Sequence, residues 1–155
     1  MRKKNDPYSP VIKELIESNY NYEYTFYDID GCGKEELLLG REGSDGMGVT
    51  DAYTIQNGAA VRQRSFSHST LLYKNGIIRL VGSDHGVWGY GYCRFEAGTF
   101  KYLAGLSVRG NAYFRIPGGG GDEIPITKEE FDRIQKEYEG GGQVVLDWKP
   151  IAAYQ

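Results

Sequence analysis

Apolar positions along this chain keep a helical period near each end and a strand period between. Val11, Ile12, Leu15 and Ile16 fall three and four apart and line one face of a predicted helix over residues 9–18. Ser9 is placed to cap that helix, and Pro10 suits its first position. From Tyr22 the period shortens to two. Residues 22–27 alternate and are aromatic, residues 36–39 are apolar, and residues 49–56 and 59–64 flank Asn57-Gly58. Asn-Gly between two such runs predicts a tight hairpin, because both residues tolerate positive φ. Residues 70–73 and 77–81 flank a second turn at Lys74-Asn75-Gly76. Residues 87–95 and 99–106 flank a third at Glu96-Ala97-Gly98, and residues 111–116 add a further strand.

The helical period returns after Gly118-Gly119-Gly120-Gly121. Thr127 and Glu130 have the spacing of a capping box, Ile126 is placed to staple onto Phe131, and Phe131, Ile134 and Tyr138 share a face. Gly140-Gly141-Gly142 ends this helix, and residues 143–146 are apolar enough for a last strand. Strands joined by such short turns make an antiparallel meander, whereas parallel units would need helices between the strands. The predicted fold is α+β, mainly β: an antiparallel meander sheet of about seven to nine strands, curled or barrel-like, with a helix near each end. Residues 1–155 read as a single domain with a flexible N-terminus over residues 1–8.

Composition supports short aromatic strands and tight turns. There are 22 glycines and 13 tyrosines against 5 prolines. A net charge of -3, with one short basic run at Arg2-Lys3-Lys4, argues against a nucleic-acid partner, which needs clustered Lys and Arg. No stretch approaches the roughly 20 apolar residues that cross a bilayer, and no apolar run follows Lys4 as a signal peptide requires. The expected location is cytoplasmic, or extracellular or in the cell envelope if an export signal has been removed. Cys32 and Cys93 are too few for a disulfide framework. They allow one bridge in an exported chain, although Cys93 lies in an apolar strand where a free thiol packs well.

The densest chemistry sits in Asp28-Ile29-Asp30-Gly31-Cys32-Gly33-Lys34-Glu35-Glu36-Leu37. Asp28, Asp30, Cys32, Lys34 (through its carbonyl) and Glu36 fall at alternate positions, as ligands do in an EF-hand-type calcium loop. Calcium takes six to eight hard oxygens at about 2.3–2.6 Å, so the chain must curl around the ion, and Gly33 supplies the permissive backbone. Asp28, Asp30, Lys34 and Glu36 are the candidate metal ligands, and three carboxylates imply weak calcium binding. Cys32 offers a neutral thiol where an oxygen is wanted. Leu39 stands where a helix-flanked loop carries a bidentate Glu, a ligand not expected when a strand leaves the loop. The same residues also suit an Asp-rich turn with no metal, since Asp side chains bond nearby amides.

This stretch resembles the DIDGNGxxELL segment of many uncharacterised secreted proteins and lipoproteins of gut Firmicutes. Its short pattern is similar to the calcium loops of FG-GAP and VCBS repeats. Ala52-Tyr53-Thr54-Ile55-Gln56-Asn57-Gly58, Leu71-Leu72-Tyr73-Lys74-Asn75-Gly76-Ile77-Ile78 and Ile126-Thr127-Lys128-Glu129-Glu130-Phe131 match the habits of the first group. The resemblance therefore spans most of the chain, with the loop as its specific motif. It implies an exported, calcium-associated β domain without an assigned activity. The chain departs from it at Cys32, where the family usually has Asn or Asp.

One strand carries a second candidate site. Trp88, Tyr90, Tyr92 and Arg94 share a face, and Val87, Gly89, Gly91, Cys93 and Phe95 share the other. Exposed, the aromatic face is a platform for a carbohydrate, peptide or protein ligand; packed on a helix, it is core. The glycines opposite predict close approach by another layer. His68 and His85, with Asp84 and nearby serines, supply the residue types of a hydrolytic site beside that face, yet no serine sits in a nucleophile elbow. Neither the quadruple glycine nor Gly31-Cys32-Gly33-Lys34 has the Gly-Lys-Ser/Thr ending of a phosphate loop. The expected function is a non-enzymatic binding or interaction module of a bacterial cell-envelope or secreted protein. The alternative is a small hydrolase acting on a sugar or peptide.

Overall fold

The computed structural model describes residues 6–41, 48–66, 70–84, 87–118 and 121–154. Helix α1 (Ser9–Glu17) leads into strands β1 (Tyr22–Tyr27), β2 (Glu36–Arg41), β3 (Asp51–Gln56) and β4 (Ala59–Ser65). Strands β5 (Thr70–Leu72), β6 (Ile77–Asp84), β7 (Val87–Glu96), β8 (Thr99–Arg109), β9 (Ala112–Pro117) and β10 (Ile124–Ile126) follow. Helix α2 (Lys128–Glu139), the short β11 (Lys149–Pro150) and a single 3-10 turn at Ile151–Ala153 complete the chain. The fold is mainly β and antiparallel, with a helix near each end, as the sequence predicts. The strands divide into two sheets, ordered β11-β1-β2-β3-β4 and β10-β9-β8-β7-β6-β5. Of the two forms expected, curled or barrel-like, the barrel does not occur: neither sheet closes on itself. No helix among the described residues is long and apolar enough to cross a membrane.

Three apolar clusters define the layering. Tyr8, Ile12, Tyr24, Leu37, Leu39 and Ile151 join α1 and the 3-10 turn to one face of the first sheet. Leu38, Val49, Ala52, Phe66, Leu72, Ile78 and Phe95 join the two sheets. Ile77, Tyr92, Leu106, Val108, Phe131 and Ile134 join the second sheet to α2. The order is therefore helix, sheet, sheet, helix. Strand β2 shows why one sheet does not suffice. Leu37, Leu38 and Leu39 are all at most 1% exposed, so apolar side chains on both faces of β2 need cover.

Turn chemistry matches the sequence closely. Asn57 and Gly58 take φ of 50° and 78°, the left-handed pair of a two-residue hairpin. Ala97 and Gly98 do the same, at 51° and 79°, and Ala97 carries a Cβ into a region that β-carbons disfavour. At α2, the Thr127 hydroxyl accepts from the Glu130 amide at 3.1 Å, as predicted, but the Glu130 carboxylate turns to Arg133 rather than back to the cap. At α1 the expected cap is wrong. The helix includes Ser9, its cap residue is Tyr8, whose hydroxyl donates to the Glu35 carbonyl at 3.0 Å rather than capping the helix, and Ser9 Oγ meets Tyr154 Oη at 3.0 Å. Residues 143–146 form no strand. A single bridge joins Gln143 to Tyr73, and the Val144 amide donates to the Leu72 carbonyl at 2.8 Å.

Two substitutions test this framework by urea unfolding. Leu38→Ala lowers the unfolding free energy by about 2–5 kcal/mol, because the inter-sheet layer loses a buried side chain and gains a cavity. Ala97→Asn raises it by about 0.5–1 kcal/mol, because Asn tolerates the left-handed conformation that Ala97 now adopts.

Candidate functional site

The acidic loop is the connection between β1 and β2, whose neck is closed by the pair Tyr27 and Glu36. Its base is anchored in the core: Ile29 is 4% exposed and belongs to the inter-sheet cluster. Gly76, at φ 76°, lets the turn between β5 and β6 press against this base; a Cβ there would meet the Ile29 carbonyl oxygen at 3.0 Å. Gly31 and Gly33 take φ of 71° and 88°, and so curl the exposed rim.

That curl turns the Asp28 carboxylate inward. Its Oδ1 accepts from the Cys32 amide at 3.0 Å and its Oδ2 from the Gly33 amide at 2.8 Å. Asp30 Oδ1 also accepts from the Cys32 amide, at 3.1 Å. Ligand atoms of Asp28, Asp30 and Cys32 consequently lie within 4.8 Å of one another. The Cys32 Sγ faces the Lys34 carbonyl at 4.0 Å. Its hydrogen bond to Asp30 keeps the thiol protonated above its ordinary range, and the nearby carboxylate charges act the same way.

Glu36 stands outside that trio. As the first residue of β2 it shares the parity of Leu38, so its side chain points toward the inter-sheet layer and is 5% exposed. Its Oε2 accepts from the Ile29 amide at 2.9 Å. Burial pushes its carboxyl up to about 7, against the opposing effect of the Ile29 amide and with help from the charges of Asp30 and Asp28. The structure thus brings Asp28 and Asp30 together, sets the Lys34 carbonyl beside Cys32, and holds Glu36 underneath. Cys32 is exposed, Cys93 is buried, and both thiols are free, so the allowed bridge does not form.

The aromatic face of β7 lies under α2. Tyr92 is fully buried, stacks on Tyr138 with ring centroids 4.7 Å apart, and donates from Oη to Glu139 Oε1 at 2.9 Å. Arg79 reaches the same Glu139 oxygen at 2.8 Å and lies over the Tyr90 ring, 4.5 Å from its centroid. Trp88 meets Phe131 edge-on and keeps 42% of its surface exposed, while Arg94 is exposed. His68 and His85 lie outside the described residues.

A cleft of about 520 Å³ opens on the other face of β7, where the sequence predicted close approach by another layer. Gly82, Gly89 and Gly91 floor it, and Arg64, Phe66, Tyr102, Ser107, Ile116 and Glu123 are among its walls. The sequence reading missed Arg64, Tyr102, Ser107 and Glu123; the glycine face of β7 was the available signal. The close approaches are local: a Cβ on Gly91 would meet the Tyr102 ring at 3.4 Å, and one on Gly89 would collide with the Leu106 carbonyl of the paired strand.

Compared with protein-family models, curated proteins and solved structures, the chain matches none.

The Glu36 environment has a measurable pH signature. Its folded carboxyl titrates near 7, above the ordinary value of 4.5, so the contribution to stability is full below the lower value and lost as pH rises through the upper. With chelator present, the melting temperature of the wild type should fall across that window relative to Glu36→Gln. The two proteins should converge at acidic pH, read by circular dichroism.

Proposed function

We propose that the chain is a non-enzymatic binding or interaction module of an exported bacterial protein, with a loop that binds a divalent cation and braces the β1–β2 connection. The carrying observation is the gathering of Asp28 and Asp30 around a glycine-curled backbone, within 4.8 Å of the Cys32 ligand atom. An ion at the rim would draw on Asp28, Asp30 and the Lys34 carbonyl. Glu36 lies beneath, its carboxyl raised chiefly by burial and further by the charges of Asp30 and Asp28, which a cation at the rim would offset. The export reading is supported by the loop's resemblance to segments of secreted proteins. Cys32 sets the affinity: a protonated thiol replaces one hard oxygen, so calcium binding is weak.

Melting the protein in chelator and in excess calcium tests this. Saturation stabilises the fold by about 2.7 kcal/mol when free calcium stands about a hundredfold above Kd. Asp28→Asn removes most of that gain, and Cys32→Asp tightens calcium about tenfold by calorimetry. Identical melting curves in chelator and in millimolar calcium would rule the braced loop out.

A further inference from the structure

The cleft on the glycine face of β7 is shaped by two bulges, one in each sheet. Pairing of β3 with β4 shifts between Ala52 and Tyr53, so Tyr53 stands opposite Arg62 while Ala52 stands opposite Arg64. Arg62 and Arg64 have the same parity and would share a face of a regular strand. The shift sends Arg62 toward the Tyr53 face, where it pairs with Asp51 at 3.8 Å. It turns Arg64 inward with Ala52, toward the second sheet. A matching shift in the pairing of β7 with β8 falls between Tyr92 and Cys93. It brings Tyr102 and Gly105, which an unbroken strand would point apart, onto one face. The Tyr102 hydroxyl consequently lies over Gly105, where a Cβ would sit 2.5 Å from it, and the ring edge lies over Gly91. Bulges that re-aim side chains recur beside functional sites.

Among the described residues, charge in the cleft is unbalanced. Glu123 is already engaged, accepting from Ser107 Oγ at 3.1 Å and pairing with Arg109. Arg64 is half-buried, lies over the Phe66 ring at 5.4 Å and directs Nη1 at the Cys93 sulfur at 3.5 Å. Among the described residues no carboxylate pairs with it. A guanidinium with open donors is matched by a carboxylate, which it can hold in two parallel bonds. The floor beside it is bare backbone at Gly82 and Gly89, with the Tyr102 ring alongside, so a flat apolar body can approach closely. The volume is in the range of small-molecule sites.

We propose that this cleft binds a small carboxylate with a flat apolar body, the carboxylate on Arg64 and the body on the glycine floor beside Tyr102. The inference is independent of the metal loop, which lies on the β1–β2 connection.

Gly82 supplies the control. Its backbone is ordinary, and a Cβ added there meets nothing within 4 Å among the described residues, so Gly82→Phe fills the cleft without a clash with them at its first atom. The probes are benzoate, cinnamate and naphthoate, each against its neutral amide, followed by saturation-transfer NMR and calorimetry. Binding to the wild type is expected for at least one of the acids, about tenfold tighter than its amide. Arg64→Met should weaken that acid by about tenfold and leave the amide unchanged. Gly82→Phe should abolish binding of both while the melting temperature is kept. Failure of every acid to bind at about 10 mM would overturn the proposal. So would acid binding that survives Arg64→Met, or that survives Gly82→Phe in a folded protein.

Discussion

Leu37, Leu38 and Leu39 impose the architecture. Three consecutive strand residues point alternately to opposite faces, and all three are out of water. A sheet with a solvated face would leave one or two of them wet. The chain answers by placing α1 and the closing 3-10 turn over Leu37 and Leu39, and the second sheet over Leu38. The second sheet then has its own outer face to cover, and α2 does so with Phe131 and Ile134. The four-layer order thus follows from one strand that is apolar on both sides.

The same parity explains the loop. Glu36 precedes these leucines by one position and shares the face of Leu38, so register carries its carboxylate beneath the loop. There it meets the amide of Ile29, whose own side chain is fixed in the inter-sheet layer. The rim holding Asp28, Asp30 and Cys32 is therefore exposed backbone on a buried hinge of two residues. The rim is tied to the sheet through Ile29 and Glu36.

Features set by near neighbours could be read from the sequence. The hairpin at Asn57-Gly58 and the Thr127 cap depend on residues a few positions apart, and they stand as expected. The alternation of β7 was also legible, and it separated the aromatic face from the glycine face correctly. Features set by distant partners were not legible. Ser9 reads as a helix cap until Tyr154 takes its hydroxyl, across 145 positions. The split into two sheets depends on β4 and β5 not pairing, and no local signal marks that. Arg64 and Tyr102 were invisible for a sharper reason. Parity assigns each to a face, and one inserted residue in each pairing reverses the assignment.

The contact between Ser9 and Tyr154 has a mechanical corollary. Tyr154 also sets its ring edge-on to Tyr24, 5.6 Å between centroids, and Ile151 packs with Ile12 and Tyr8 beneath α1. The opening helix and the closing turn therefore work as a single clasp on one face of the first sheet. Tension applied to either end loads the same small cluster first, while the second sheet and α2 lie outside that line of force. Fraying should begin there and reach the inter-sheet layer only after the clasp has opened.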